Sequence, residues 1–210
     1  PFPMTVMNYD LIKGGFGIVH KVKISENKYA LKCLGLNGEE LRNLGLAELD
    51  LYIYTILVQR SEDYRDFINE MLCLQNLDHK NIIKIEPLCY RSRKFFKEKF
   101  FYCYKMKWYP SSLRKKMEQL FQNNLNTEDF LNFLMVVWKI SKALKVVHDK
   151  DLIHEDVKPE NILLDEWEPV LIDFGIVKKA HNTRNPITVI GDERYISPEQ
   201  RSGTTDKRSD

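Results

Sequence analysis

Three things are scarce in this 210-residue sequence: long apolar runs, paired cysteines and an excess of one charge. No apolar stretch approaches the length of a bilayer-spanning helix, and Pro1 to Asp10 show no basic region followed by an apolar one. The covered chain is therefore expected to be soluble, cytoplasmic or nuclear, with no membrane partner. It opens on Pro1 rather than Met, which leaves a targeting segment upstream an open matter. The four cysteines, Cys33, Cys73, Cys89 and Cys103, form no C-x-x-C pair, and each has apolar neighbours, as buried free thiols in a reducing compartment do. A net charge of +2 makes no demand for a nucleic-acid partner, and none is expected. Neither H-E-x-x-H nor G-x-x-x-x-G-K-[ST] occurs, which removes support for a zinc protease and for a P-loop nucleotide site. His148 and His154 accordingly do not suggest zinc, and His79 reads as a turn residue. Hydrophobic residues make up 43%, enough for a sizeable core, so disorder is not expected and the length fits one domain or two small lobes.

What is present concentrates between His154 and Gly175, H-E-D-V-K-P-E-N-I-L-L-D-E-W-E-P-V-L-I-D-F-G. Two β-prone apolar runs, Asn161 to Leu164 and Val170 to Ile172, flank the polar turn Asp165 to Pro169, the pattern of a hairpin. Asp156, Lys158 and Asn161 precede the first run, and Asp173 closes the second. A hairpin would bring two carboxylates, an ammonium and an amide together, a set that suits a phosphate group, its Mg2+ and an attacking hydroxyl.

H-x-D-x-K-P-x-N followed by D-F-G resembles the catalytic and metal-binding loops of eukaryotic protein kinases. The resemblance implies that Asp156 accepts the proton of the substrate hydroxyl and that Lys158 neutralises charge on the transferred phosphoryl group. It assigns Asn161 and Asp173 to the Mg2+ ions that accompany ATP. Upstream, Tyr9 to Leu34 reads as three strands around the turn at Gly14, Gly15 and Gly17, and the third carries Y-A-L-K, similar to the family's V-A-I-K. Lys32 then grips the α- and β-phosphates. Ile12 stands at the first glycine of the family's G-x-G-x-x-G, whereas Gly14 and Gly17 match the other two. Between Asp63 and Leu77 the residues Tyr64, Phe67, Ile68, Met71, Leu74 and Leu77 recur at helical spacing, with Asp63 as the cap. Glu70 on this helix matches the glutamate that pairs with the strand lysine. The leucine-rich stretch Leu36 to Ser61 reads as an insertion without assigned function.

Ile82 to Tyr90 and Phe100 to Met106 read as the last strands of the small lobe, with Arg91 to Lys99 a solvated loop between them. By the resemblance Met106 guards the back of an adenine pocket, and Lys107 to Tyr109 form the linker to the second lobe. Leu11, Val19, Ala30, Tyr109 and Leu163 complete the nucleotide contacts that it implies. Ser112 to Phe121 reads as a short helix with Leu113, Met117, Leu120 and Phe121 inward. Thr127 to His148 is the clearest helix, capped by Asn126 or Thr127, with a buried stripe of Phe130, Phe133, Leu134, Val137, Ile140, Leu144 and Val147. The stretch Ile176 to Ile196, closing on Tyr195-Ile196-Ser197-Pro198-Glu199, is similar to a kinase activation segment, in which Thr183 and Thr188 are the acceptors for regulatory phosphate.

Two further positions depart from the family pattern. Glu155 stands where most protein kinases have the arginine of H-R-D, and a glutamate there repels a phosphate on the activation segment. Asp192 follows Gly191 where a threonine is usual, an acid expected to compete for Lys158. Asp210 matches the aspartate that opens the large central helix of the kinase C-lobe, so residues 1–210 alone are expected to have exposed apolar surface, little stability and little activity. A cooperative thermal transition and ATP turnover by these residues would contradict that.

The implied fold is α+β and bilobal. Residues 1–106 form a five-stranded antiparallel sheet with one helix, with the insertion at 36–61, and residues 107–210 form part of a mainly helical lobe. The implied activity is ATP- and Mg2+-dependent phosphorylation of Ser/Thr hydroxyls on a protein substrate. Its rival is a pseudokinase acting as a nucleotide- or protein-binding scaffold, favoured mildly by Ile12 and Asp192. A small-molecule phosphotransferase of kinase-like fold is disfavoured by the D-F-G and S-P-E pair.

Overall fold

The computed structural model describes residues 4–6, 12–14, 17–24, 27–34, 62–94, 97–122, 125–174, 178–179 and 192–210. Leu11, the insertion at 36–61, and Thr183 and Thr188 lie outside the described residues. The chain divides into two units: Pro1–Gln75 with Lys84–Trp108, and Asn76–Ile83 with Tyr109–Asp210.

The first unit is built on an antiparallel sheet. Its strands are β1 (Met4–Val6), β2 (Ile12–Gly14), β3 (Gly17–Ile24), β4 (Asn27–Leu34), β5 (Ile85–Lys94) and β6 (Lys97–Lys107). The order is β1-β3-β4-β6-β5, with β2 also on β3. Because β4 takes one edge of β3 from Ile18 to Ile24, β1 (Met4↔Ile24) and β2 (Ile12↔Val19) share the other edge. Six strands thus fill five rows, the five expected plus a short edge piece. The basic stretch Arg91 to Lys99 is not a loop. Residues 91–94 and 97–99 continue the β5–β6 ladder, with Arg91 opposite Phe100 and Lys94 opposite Lys97, because cross-strand backbone hydrogen bonding does not depend on side-chain charge. Helix α1 (Glu62–Gln75) buries Phe67, Ile68, Met71 and Leu74, as its spacing predicts. It begins at Glu62, so Asp63 lies within its first turn.

In the second unit, Ile82 and Ile83 are not the start of a small-lobe strand. They run beside β10 (Glu168–Leu171), with Ile83 N–H donating to Leu171 O at 3.0 Å and Leu171 N–H to Asn81 O at 2.9 Å. Strands β7 (Ser111–Ser112), β9 (Ile162–Asp165) and β10 form a small sheet in the order β10-β9-β7. A further strand, β8 (Leu152–Ile153), pairs with β11 (Lys178–Lys179). Helix α2 (Leu113–Gln122) buries Leu113, but Phe121, read as inward, is exposed in its last turn.

Helix α3 (Thr127–Asp149) starts on a capping box between Asn126 and Asp129, as its sequence predicts. Its buried stripe differs from the one expected. Val136, Ile140, Ala143 and Val147 are buried, whereas Phe130, Leu134 and Val137 are exposed, at 52%, 51% and 61%. The helix carries apolar residues over a wide arc of its circumference, and the side facing β8 and β10 is the one that packs. Among the described residues no helix is long and apolar enough to cross a membrane.

Candidate active site

The hairpin expected at Asn161 to Ile172 is present. Strands β9 and β10 pair from Ile162↔Leu171 to Asp165↔Glu168, leaving a two-residue turn at Glu166 and Trp167. Glu166 takes the left-handed conformation there, with φ 56°. Trp167 fixes the turn: its ring meets Phe133 of α3 edge-on at 5.2 Å, and the Lys116 ammonium of α2 lies 4.8 Å from the ring centre. Glu168 adds an ion pair to Lys139 and accepts from Asn81 Nδ2 at 3.0 Å. The ladder is extended by Ile172 N–H to Asn161 O at 3.0 Å, so Asp173 follows directly where the loop before β9 ends.

That loop holds its charged groups tightly. Lys158 Nζ lies 2.9 Å from Asp156 Oδ1 and 2.7 Å from Oδ2. Asn161, buried, donates from Nδ2 to Asp156 O at 2.9 Å and to Asp156 Oδ2 at 2.8 Å. Both amide hydrogens are thereby spent on Asp156, which leaves Oδ1 as the acceptor of the Asn161 side chain. One amide oxygen and the Asp173 carboxylate are hard oxygen donors, a set that fits Mg2+ with phosphate oxygens and waters as its other ligands. Asp173 itself sits at φ 65°, a left-handed conformation rare for a residue other than glycine. Leu163 is half-buried on β9 opposite Ser112, and Tyr109 is half-buried at the start of the unit.

The loop is braced from below by residues whose part the sequence did not disclose. The Asp210 side chain is fully buried, and its carboxylate accepts from His154 N–H and Glu155 N–H, both at 2.8 Å, with His148 Nε2 also at 2.8 Å. Gln200 Nε2 donates to Glu155 O at 3.0 Å, and Thr205 Oγ1 donates to Glu155 Oε1 at 2.7 Å. Glu155 is thus buried and tied at its amide, carbonyl and carboxylate, with φ 66°. Only Asp210 carries a sequence signal, through its match to a family position; Gln200 and Thr205 carry none. Asp192 does not take Lys158. Arg194 grips it twice, at 2.9 Å and 2.6 Å, and holds its carboxyl well below the usual range.

His154 is fully buried beneath the loop. Its Nε2–H donates to Ile172 O at 3.0 Å, its Nδ1 accepts from Asp156 N–H at 3.3 Å, and its ring meets Phe174 edge-on at 4.7 Å. An imidazole with one donor and one acceptor in use is neutral. Burial, opposed by the charges of Asp210, Asp173 and Asp156, lowers its pKa from the ordinary value. With the folded pKa below the unfolded one, the unfolded chain binds more protons as pH falls below about 6.5, so stability declines from there downward. Nitrogen-15 shifts of the His154 ring at pH 6 are expected to report the neutral, Nε2-protonated tautomer; an imidazolium spectrum at that pH would contradict the assignment.

The first unit holds the other charged pair. Lys32 Nζ donates to Glu70 Oε1 at 2.9 Å and Oε2 at 2.7 Å, and both residues are buried. Register places Val19 opposite Lys32 and Ala30 opposite Met106, so these four expected residues share one face of the sheet, and Gly14 pairs with Gly17 at the β2–β3 turn. Tyr104, opposite Lys32, was not singled out by sequence, yet its hydroxyl donates to Glu70 Oε1 at 3.0 Å. Among the described cysteines Cys103 is buried and Cys73 half-buried; burial, then the nearby Glu70 carboxylate, pushes the Cys73 thiol up to about 11, an inert group at neutral pH.

Comparison with known proteins gives a coherent result. The model of the protein kinase domain matches residues 9–210. A serine/threonine-protein kinase of Arabidopsis thaliana is 27% identical over 89% of this chain and 34% of its own length. The PR5-like receptor kinase of the same plant is 28% identical over 94% of the chain and 27% of its length. The interferon-induced, double-stranded RNA-activated protein kinase of Rattus norvegicus is 31% identical over 90% and 34%. The chain therefore spans about a third or less of the length of these relatives.

Proposed function

The chain belongs to the protein kinase domain family, whose members use ATP and Mg2+ on protein substrates, and from that premise we propose that it phosphorylates serine and threonine hydroxyls. The observation that carries the proposal is the loop around Asp156, whose carboxylate is aimed by Lys158 and Asn161 while Asp173 follows at the hairpin end. Asp156 takes the proton of the acceptor hydroxyl. The hydroxyl oxygen bonds to the γ-phosphorus as the bond to the ADP oxygen breaks, and ADP leaves. Lys158 balances charge on the moving phosphoryl group. Asn161 through Oδ1 and Asp173 would hold Mg2+, which when bound shields the phosphate charge. Lys32, fixed by Glu70, is assigned the α- and β-phosphates; Leu11, Gly14, Gly17, Val19, Ala30, Met106, Tyr109 and Leu163 are assigned the rest of the nucleotide.

Lys158 favours Ser/Thr over Tyr, since tyrosine kinases usually carry Ala-Ala-Arg or Arg-Ala-Ala here. The rival is a scaffold that binds nucleotide without turnover. It draws on Ile12 and Asp192, and the engagement of Asp192 by Arg194 weakens the second of these. The test is transfer of labelled γ-phosphate to a protein substrate by the complete chain. Transfer abolished by EDTA supports the proposal; bound ATP with no transfer supports the scaffold.

Activity is further expected not to depend on phosphate docking at Glu155. The Glu155 carboxylate is buried and bonded to Thr205, and a phosphate brought to it would meet like charge. Phosphatase treatment is expected to change the rate by less than about threefold. A large activation on phosphorylation, abolished by Thr188→Ala, would contradict this.

A further inference from the structure

We infer that Tyr104 is a positioning residue for the Lys32–Glu70 pair: its hydroxyl holds the Glu70 carboxylate in place when the Lys32 ammonium is drawn toward phosphate. The inference rests on the reading of Lys32 as a phosphate-binding group.

The geometry is specific. Lys32↔Tyr104 is a direct cross-strand pair, so both side chains leave the sheet on the same face. Glu70 comes to them from α1, and its Oε1 receives two donors, Lys32 Nζ at 2.9 Å and Tyr104 Oη at 3.0 Å. All three are almost fully buried, at 5%, 1% and 2% exposure for Lys32, Glu70 and Tyr104. The tyrosine ring is itself held, stacked on Phe67 at 5.4 Å and 25°, and Phe67 lies one helical turn before Glu70. One side chain of β6 thus touches α1 at two successive turns, once by ring contact and once by a charge-assisted hydrogen bond.

An ammonium has three protons. In this structure Lys32 directs its bonds at both Glu70 oxygens. A phosphate oxygen arriving at Nζ competes with the carboxylate for the same positive charge, which weakens the ammonium's contacts with Glu70. Glu70 Oε1 would then be left with a weakened donor in a buried site, where an unsatisfied carboxylate oxygen is costly. The Tyr104 hydroxyl keeps that oxygen satisfied, so Glu70 need not rotate and Lys32 stays tethered through Oε2. The residue acts on phosphate only through Glu70 and Lys32.

Tyr104→Phe keeps the ring and its stack on Phe67 and removes only the hydroxyl, and the complete chain carrying it is the test. KM for ATP is expected to rise about tenfold, with kcat within about twofold, the size expected for one charge-assisted hydrogen bond. In a Glu70→Ala background the same substitution is expected to leave KM unchanged, because the acceptor of the Tyr104 hydroxyl is already gone. Amide hydrogen exchange in α1, which needs no nucleotide, is expected to accelerate in Tyr104→Phe. An unchanged KM in Tyr104→Phe, or an equal rise in the Glu70→Ala background, overturns the inference while leaving the phosphate reading intact. If the wild-type chain binds no ATP, the phosphate reading fails by itself, and unaltered exchange in α1 would then also remove the positioning role.

Discussion

Asp156→Asn is expected to lower the rate of phosphoryl transfer by about a thousandfold while ATP affinity changes by less than about twofold, within the range for loss of a positioned general base. The exchange is nearly isosteric, so the loop should keep its shape. What changes is the chemistry at one atom. The carboxylate accepts hydrogen bonds from Lys158 Nζ and Asn161 Nδ2 and has capacity for the hydroxyl proton of the acceptor. An amide cannot take that proton, and its own NH2 faces donors. Steady-state kinetics with calorimetric ATP titration separates the two effects. A variant that keeps more than a tenth of wild-type turnover would remove Asp156 from the base role.

The second large effect lies beneath the site. Asp210→Ala removes the acceptor of two main-chain N–H groups, those of His154 and Glu155, and the partner of His148 Nε2. Hydrogen bonds to charged groups contribute about 1.5–3 kcal/mol each, so stranding two buried amides should cost roughly 3–6 kcal/mol, comparable with the whole stability of many domains. Asp210→Asn should fall between, since its single carbonyl oxygen serves one amide while its NH2 opposes the other. Denaturant unfolding of the three proteins ranks them. Equal stability for wild type and Asp210→Ala would mean that the brace is incidental.

These two residues also mark how far the sequence could be read. Asp156 was legible because its partners Lys158 and Asn161 lie within a few positions on the same loop, and Asp173 closes a hairpin announced by two apolar runs around a polar turn. Lys32 and Glu70 are 38 positions apart, yet each sits in a local pattern of its own, a strand and a helix. The bond from Tyr104 to Glu70 spans 34 positions and depends on sheet register, which single-strand alternation does not supply. Position 104 lies two residues before Met106 on the same face, the one hint available.

Helix α3 shows the limit of periodicity. Of the expected stripe, Ile140 and Val147 are buried, beside Val136 and Ala143, whereas Phe130, Leu134 and Val137 are exposed. Spacing identifies a helix with apolar faces; which face is buried depends on neighbours brought from β8 and β10. The stretch Arg91 to Lys99 fails for the opposite reason. Its charges hide strand alternation, although the backbone ladder continues through them.

The most direct measurement is phosphoamino-acid analysis after incubating the complete chain with Mg2+, γ-labelled ATP and a pool of Ser, Thr and Tyr peptides, alongside Asp156→Asn. Label on phosphoserine and phosphothreonine from wild type, and almost none from the variant, is the predicted result. Label on phosphotyrosine alone, or equal label from both proteins, would contradict it.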